Sequence, residues 1–148
     1  MPGSDEDALA GYTFQIEIDS ITIAAFKEVG GLSSETEVIE EKQNTKGGKL
    51  VVKKTPGYHK WGDITLKRGV TSDKSLWEWR KKVEQGNIVD ARKHGSVVIY
   101  DYKTGEEKLR FNFTNAWPSK MEIDSLQAGG SEMLVETCTI THEGLEQA

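Results

Sequence analysis

The stretch Trp61-Gly-Asp-Ile-Thr-Leu-Lys-Arg-Gly-Val-Thr-Ser-Asp-Lys-Ser-Leu-Trp-Glu-Trp79 predicts a β-strand, a tight turn and then an α-helix. Ile64 and Leu66 alternate with polar residues, so an extended chain places both aliphatic side chains on one face. Gly69 interrupts this alternation and marks the end of the strand.

The helix is predicted over residues 72–86. Ser72 or Asp73 is suited to begin it, because a short polar side chain can accept a hydrogen bond from a free N–H of the first turn. Gly86 is suited to end it. Nearly all other segments look like short strands, so this single helix is expected to pack on a sheet.

The tryptophans of this helix are predicted to anchor it. Trp77 and Trp79 are two residues apart, so at most one of them faces the sheet squarely. The predicted core anchors are Ile64, Leu66, Leu76, Trp77, Trp79 and Trp117.

The remaining pattern predicts a mainly β protein, an antiparallel β-barrel or sandwich with one flanking helix. Alternating apolar residues indicate one hairpin over residues 12–25 and another over residues 97–113. Pro118 cannot donate to a ladder, so the strand ends or bends there, and Met121 and Ile123 begin another. The last strand is expected over residues 132–142.

Length and composition predict one domain over residues 1–148, with residues 1–11 as a flexible acidic arm and no secretory signal. The net charge of −5 argues against binding to a phosphate backbone as the main role. The one cysteine, Cys138, is expected to be a small buried hydrophobe.

Two neighbouring segments of opposite charge suggest contacts between copies. Residues 35–41 form an acidic strand, and residues 43–56 form a lysine-rich, glycine-containing protruding loop or β-arm. Long strands with open edges pair with other chains unless they are blocked. The predicted interface residues are Glu35, Glu37, Glu40, Glu41, Lys46, Lys49, Leu50, Val51 and Lys53.

No combination of residues indicates an active site. The three histidines lack the spacing of a zinc site, and the acidic strand lacks the spacing of an EF-hand. The glycine-rich segment lacks the order of glycines, lysine and Ser or Thr that a Walker phosphate-binding loop needs. No catalytic residue, metal or cofactor is therefore predicted. The tryptophans leave one alternative open, a soluble β-barrel that stacks a ligand on exposed indoles.

Several motifs taken together resemble the contractile phage tail tube protein family, which includes inner tube proteins of phage-like extracellular injection systems. The resemblance spans about residues 12–145. Its motifs are Phe26-Lys-Glu-Val-Gly-Gly-Leu32, Val38-Ile-Glu-Glu-Lys42, Pro56-Gly57, Asp63-Ile-Thr-Leu-Lys-Arg-Gly-Val-Thr71, Leu76-Trp-Glu-Trp79, Asn115-Ala-Trp-Pro-Ser-Lys120, Glu136 and Thr141-His-Glu-Gly-Leu145.

The resemblance implies a subunit that performs no chemistry. Six copies would form a ring, and stacked rings would form a hollow tube that carries DNA or protein cargo. The implied partners are other copies, a surrounding sheath, a baseplate and tube-terminating proteins, without membrane insertion of the monomer or sequence-specific nucleic-acid binding. Assembly would occur in a bacterial cytoplasm, and the mature protein would lie in a phage tail or injection particle. A secreted ring-forming protein of the type VI tube class is the related alternative.

Overall fold

The computed structural model describes residues 12–18, 21–124 and 134–148. The predicted arm at residues 1–11 lies outside these residues. No helix in the described ranges is long and apolar enough to cross a membrane. The elements are β1 (Tyr12–Ile18), β2 (Ile21–Phe26), β3 (Glu28–Gly30), β4 (Ser34–Asn44), β5 (Leu50–Trp61), β6 (Ile64–Gly69), α1 (Ser75–Glu84), α2 (Ile88–Ala91), β7 (Lys93–Asp101), β8 (Glu107–Ile123), β9 (Val135–Thr141) and β10 (Gly144–Gln147).

The strands form two antiparallel sheets of unequal size. The larger sheet has the order β2-β1-β7-β8-β9-β6-β3, with β10 also paired to β8, and the smaller one contains only β4 and β5. The prediction of a mainly β, antiparallel fold is confirmed. The larger sheet does not close into a barrel by ladder pairing, although the Lys27 N–H, between β2 and β3, donates to the Lys67 carbonyl at 3.0 Å.

Strand β8 holds the large sheet together because it has different neighbours along its length. Its first part pairs with β7 and β10, and from Trp117 onward it pairs with β9. The register shifts between Pro118 and Lys120, and Asn115 has a positive φ of 47°. The chain therefore bends at the predicted corner without ending, and the prediction that Met121 and Ile123 begin a new strand is wrong.

The β6–turn–α1 unit follows the predicted order with a later helix start. Ile64 and Leu66 are fully buried on one face of β6. The helix begins at Ser75, because the Asp73 side chain accepts a hydrogen bond from the Ser75 N–H at 3.0 Å and holds the preceding turn. Gly86, with φ of 78°, follows the end of the helix.

Besides the three-residue strand β3, two short elements were not predicted. The single-turn helix α2 follows α1, so the predicted helix is not alone, and the Trp79 Nε1–H donates to the Ala91 carbonyl at 2.5 Å. Strand β10 adds four residues beside β8 after the last predicted strand. Both elements are shorter than the window over which hydrophobic periodicity is informative.

The core lies between the large sheet and α1. Leu76 and Trp79 are buried as predicted, whereas Trp77 is 40% exposed and Trp117 is only partly buried, so the prediction that Trp77 anchors the core is wrong. The buried cluster comprises Ile16, Phe26, Ile64, Leu66, Leu76, Trp79, Ala91, Val97, Phe113, Ala116, Cys138 and Ile140.

We expect Trp79→Ala to lower the free energy of unfolding by about 3–5 kcal/mol, because it removes a buried indole and leaves the Ala91 carbonyl without its donor. Trp77→Ala, in the same helix, should cost clearly less because its side chain is already 40% exposed. Urea unfolding of both variants measures the difference. Equal losses would show that exposure does not set the contribution of these indoles.

Candidate assembly surface

The β4–β5 hairpin is a separate two-stranded sheet with nothing packed on most of its surface. Its strands pair in register from Ser34 opposite Trp61 to Asn44 opposite Leu50, with an irregularity between Thr36 and Val38. Every residue of β4 is exposed, and most of β5 is exposed as well. The predicted protruding arm at residues 43–56 is the distal part of this longer hairpin.

The tip of the hairpin is a hydrogen-bonded turn. The Thr45 N–H donates to the Lys49 carbonyl at 2.9 Å, and the Gly48 N–H donates to the Thr45 carbonyl at 2.9 Å. Gly48 has φ of 76°, a conformation that residues with a Cβ rarely adopt. The glycine pair that raised the question of phosphate binding therefore serves to reverse the chain.

Aliphatic side chains are exposed on both faces of this hairpin. After the irregularity, Val38 and Val52 lie on one face and Ile39 and Val51 on the other, because successive residues of a strand alternate. The exposed fractions are 60% for Val38, 44% for Ile39, 61% for Leu50, 45% for Val51 and 47% for Val52. A two-stranded hairpin is marginally stable alone, and here it lacks a covered face.

Charge is divided between the two strands. Glutamates lie on β4 and face lysines on β5: Glu40 is opposite Lys54, and Glu41 is opposite Lys53. One edge of the hairpin therefore belongs to an acid-rich strand and the other to a lysine-rich strand. Each edge presents unpaired backbone groups to a neighbouring strand.

The base of the hairpin is fixed to the large sheet. The Gly62 N–H donates to the Ser33 carbonyl at 3.4 Å, and His142 Nε2 donates to the Gly62 carbonyl at 2.9 Å. Gly31 has φ of 81°, and a Cβ there would lie 1.8 Å from the Asp63 carbonyl oxygen. These contacts set where the hairpin leaves the sheet.

All nine predicted interface residues lie on this one hairpin, seven in its strands and two, Lys46 and Lys49, in its turn. The structure thus brings them together on one exposed element. Their contact with another copy remains a prediction.

Sequence reasoning missed a buried ion pair beside the helix. Arg68 is opposite Glu136 in the β6–β9 register, and the Arg68 Nε–Glu136 Oε2 distance is 2.8 Å. Arg68 is 5% exposed and Glu136 is 3% exposed. Arg68 Nη1 also donates to Asp73 at 3.2 Å, and Trp77 Nε1 donates to Glu136. The pair therefore ties the start of α1 to the sheet.

The contacts of Asp73 lower the pKa of its carboxyl group. The Ser75 amide makes the largest contribution, and the Ser75 hydroxyl and Arg68 add to it. A lowered folded-state pKa means that these contacts stabilise the fold above the unfolded-state pKa. That stabilisation is lost as pH falls through the folded-state pKa.

Other candidate chemical groups do not converge on a site. Burial raises the pKa of the Cys138 thiol to about 12, consistent with its predicted role as a small buried residue. Trp61 lines one cleft, Trp77 lines another, and Trp79 is buried. Among the residues that the structure describes, no group of three His, Cys, Asp or Glu side chains is placed to hold a metal ion.

The family model described as T4-like virus tail tube protein gp19 matches residues 10–146 of this sequence. The chain belongs to the T4-like virus tail tube protein gp19 family. The predicted resemblance is therefore confirmed, and the protein is a tail tube subunit. No curated protein sequence gives a significant match.

Solved structures of tube proteins share the fold. A chain in the anti-feeding prophage cap, described as the AFP tube terminating cap, aligns with a TM-score of 0.69 at 21% identity, over 91% of this chain and 87% of that one. A chain in the sheath-tube complex of an extracellular contractile injection system, PVC, in the extended state gives 0.69 at 20% identity, over the same shares. Hcp1 from Flavobacterium johnsoniae gives 0.53 at 18% identity, over 91% and 94%.

We expect Arg68→Met to destabilise this tail tube protein by about 3–5 kcal/mol, because it leaves the Glu136 carboxylate buried without its partner. The double variant Arg68→Met/Glu136→Leu removes both charges and should recover much of that loss. Urea unfolding of the single and double variants provides the comparison. A double variant as unstable as the single one would show that packing, and not the unpaired charge, is responsible.

Charge reversal on the hairpin should weaken assembly without weakening the fold. Lys53→Glu places a carboxylate opposite Glu41, and Lys49→Glu reverses the charge in the exposed turn. Exposed ion pairs contribute little to folding, so the melting temperature should change little. Sedimentation measures assembly, and calorimetry measures melting.

Lys103→Glu is the matched control, since it makes the same charge change at an exposed position outside the hairpin. An equal loss of assembly in this control would assign the effect to net charge. If the melting temperature of the hairpin variants falls together with their assembly, the hairpin is simply part of the folding unit.

Proposed function

We propose that this tail tube protein forms hexameric rings that stack into the hollow inner tube of a contractile tail or injection particle. The observation that carries the proposal is the β4–β5 hairpin, whose strands of 11 and 12 residues have open edges, exposed faces and separated charge. Its own chain leaves these features uncovered within the described residues. Identical copies are the partners that supply matching strands.

The division of charge favours one mode of pairing between copies. Two β4 strands side by side would place glutamates next to glutamates, and two β5 strands would place lysines next to lysines, which is unfavourable. Pairing β5 of one copy with β4 of the next alternates acidic and basic strands. This head-to-tail contact is heterologous, and it closes into a ring when the rotation between copies divides a full turn.

The exposed aliphatic residues supply the attraction. Burying five half-exposed Val, Ile and Leu side chains contributes on the order of 5 kcal/mol per copy. Association costs several kcal/mol in lost translational and rotational freedom, so one such contact is weak. A ring places two of these contacts on every copy, which favours a closed assembly over a dimer.

The solved relatives support the same role at the level of the particle. Chains of this fold occur in a sheath-tube complex, a baseplate and a tube-terminating assembly. We propose a sheath around the tube, a baseplate and a terminator at its ends, and DNA or protein cargo in its lumen. This mechanical role requires no catalytic group or cofactor. Copies assemble in the bacterial cytoplasm before the particle matures.

Shortening the hairpin tests the proposal. Removing residues 41–44 and 50–53 joins Glu40 and Lys54 directly to the existing turn. Glu40 and Lys54 are opposite each other and lie on the same face of the hairpin as Asn44 and Leu50, so the turn keeps its register. We expect wild-type protein to give sixfold rings or tubes by negative-stain electron microscopy. The shortened variant should remain a folded monomer, because the distal part of both edges and the aliphatic residues 50–52 are lost.

The melting temperature controls for folding of the shortened variant. If the wild-type protein and a well-folded shortened variant form the same tubes, the removed part of the hairpin is not needed for assembly. Wild-type protein that stays monomeric at every concentration, with and without a baseplate nucleator, would overturn the proposed function itself.

A further inference from the structure

A cleft lies at the base of the β4–β5 hairpin, where β10 pairs with β8. Trp61, the last residue of β5, lines it together with residues of β1, β7, β8 and β10. The cleft encloses about 710 Å³, which is in the range of sites that enclose a bound group.

A polar row crosses the floor of this cleft. The ladder registers align one residue from each of four neighbouring strands: Glu17, Ser96, Asn112 and Glu146. Residues that are opposite each other in a ladder share a face, so the row is continuous and has a carboxylate at each end. The Ser96 hydroxyl donates to Asn112 Oδ1 at 2.6 Å, in agreement with this alignment.

The two carboxylates of the row differ in their partners. Arg110 Nη1 lies 2.7 Å from Glu17 Oε2, and Arg110 Nη2 lies 2.6 Å from Glu107 Oε1, so these two acids balance the charge of Arg110. Glu146 is exposed and forms no ion pair with the described residues. The cleft therefore combines an uncompensated carboxylate with the indole of Trp61, and both groups attract an ammonium ion.

The opposite end of the hairpin carries ammonium groups in excess. Residues 42–54 contain five lysines and no acidic residue, in a chain whose net charge is −5. Lys46 and Lys49 lie in the exposed turn, and neither forms an ion pair with the described residues. The tip and the base cleft are therefore complementary in charge.

The length of the hairpin keeps the tip and the cleft of one chain apart. Strand β5 has 12 residues, which span about 40 Å. A second copy that is displaced by this length along the hairpin brings its turn to the cleft of the first copy. Repeating the displacement gives an open stack, whereas pairing of the hairpin edges joins copies within a ring.

We propose that the lysine turn of each copy, residues 45–49, docks in the base cleft of a copy in the next ring. Lys46 and Lys49 approach Glu146 and the Trp61 indole, and this contact sets the stacking of rings into a tube. The inference rests on the proposed function, because it assigns the axial contact between the rings of that tube.

A charge swap tests the contact. Glu146→Lys should leave sixfold rings but abolish their stacking, because it places a cation opposite the lysine turn. Combining Glu146→Lys with Lys46→Glu and Lys49→Glu should restore tubes. Negative-stain electron microscopy distinguishes rings from tubes. The matched control is Glu122→Lys, the same charge change at an exposed position at the other end of β8, and it should still give tubes.

Each other result of the charge swap has a definite meaning. Tubes from Glu146→Lys that match those of the wild type would overturn the inference and leave the proposed function intact. An equal loss of stacking in Glu122→Lys, or a loss that the triple variant does not reverse, would also overturn it. Wild-type protein that forms no rings would overturn the proposed function and this inference with it.

Disulfide trapping is a second measurement, and it keeps the charges of Lys49 and Glu146. Lys46→Cys/Thr114→Cys places one thiol in the lysine turn and one at an exposed position that lines the cleft. Cys138 is fully buried and does not compete. Because the proposed contact repeats along the stack, oxidation of assembled protein should give products larger than a hexamer on a denaturing, non-reducing gel.

The trapping control is Lys46→Cys/Lys103→Cys, since Lys103 is exposed and lies outside the cleft. A yield at position 114 that does not exceed the yield at position 103 would overturn the inference. Products that end at the hexamer would also overturn it, because they would assign the contact to neighbours within one ring.

Discussion

Strand β8 is the constraint on which the large sheet depends, because one continuous strand belongs to two sets of neighbours. Its first part lies between β7 and β10, and its second part continues beside β9, which places β6 and α1 over the core. The bend is localised at Asn115 and Pro118, where a left-handed residue and a missing backbone donor permit the change of partner. The antiparallel pairings follow from where this strand turns.

The sequence was informative wherever a single local pattern decided the structure. The alternation of Ile64 and Leu66 predicted a strand with one buried face, and the position of Gly86 predicted the end of the helix. The Arg68–Glu136 pair was missed because each residue alone resembles a solvent-exposed polar position. Only the β6–β9 register, which joins segments 68 residues apart, shows that both face the core. The predicted interface residues all lie on one exposed hairpin because they are close in sequence and joined by one turn.

The molecule keeps its buried core apart from its exposed hairpin. Helix α1 covers the aromatic and aliphatic core residues of the large sheet. The aliphatic residues of the β4–β5 hairpin are exposed on both of its faces. The hairpin is attached through hydrogen bonds at Gly62, so substitutions in its distal part lie far from the core. With the hairpin as the proposed assembly surface, this division lets that surface vary in charge and length while the supporting fold stays intact.

Cys138, the one cysteine of the sequence, has a further consequence through its position inside β9. Oxidants cross-link accessible sulfhydryl groups of neighbouring molecules. The folded chain offers no such group at its surface, because Cys138 is fully buried, so folded copies cannot be joined through a disulfide.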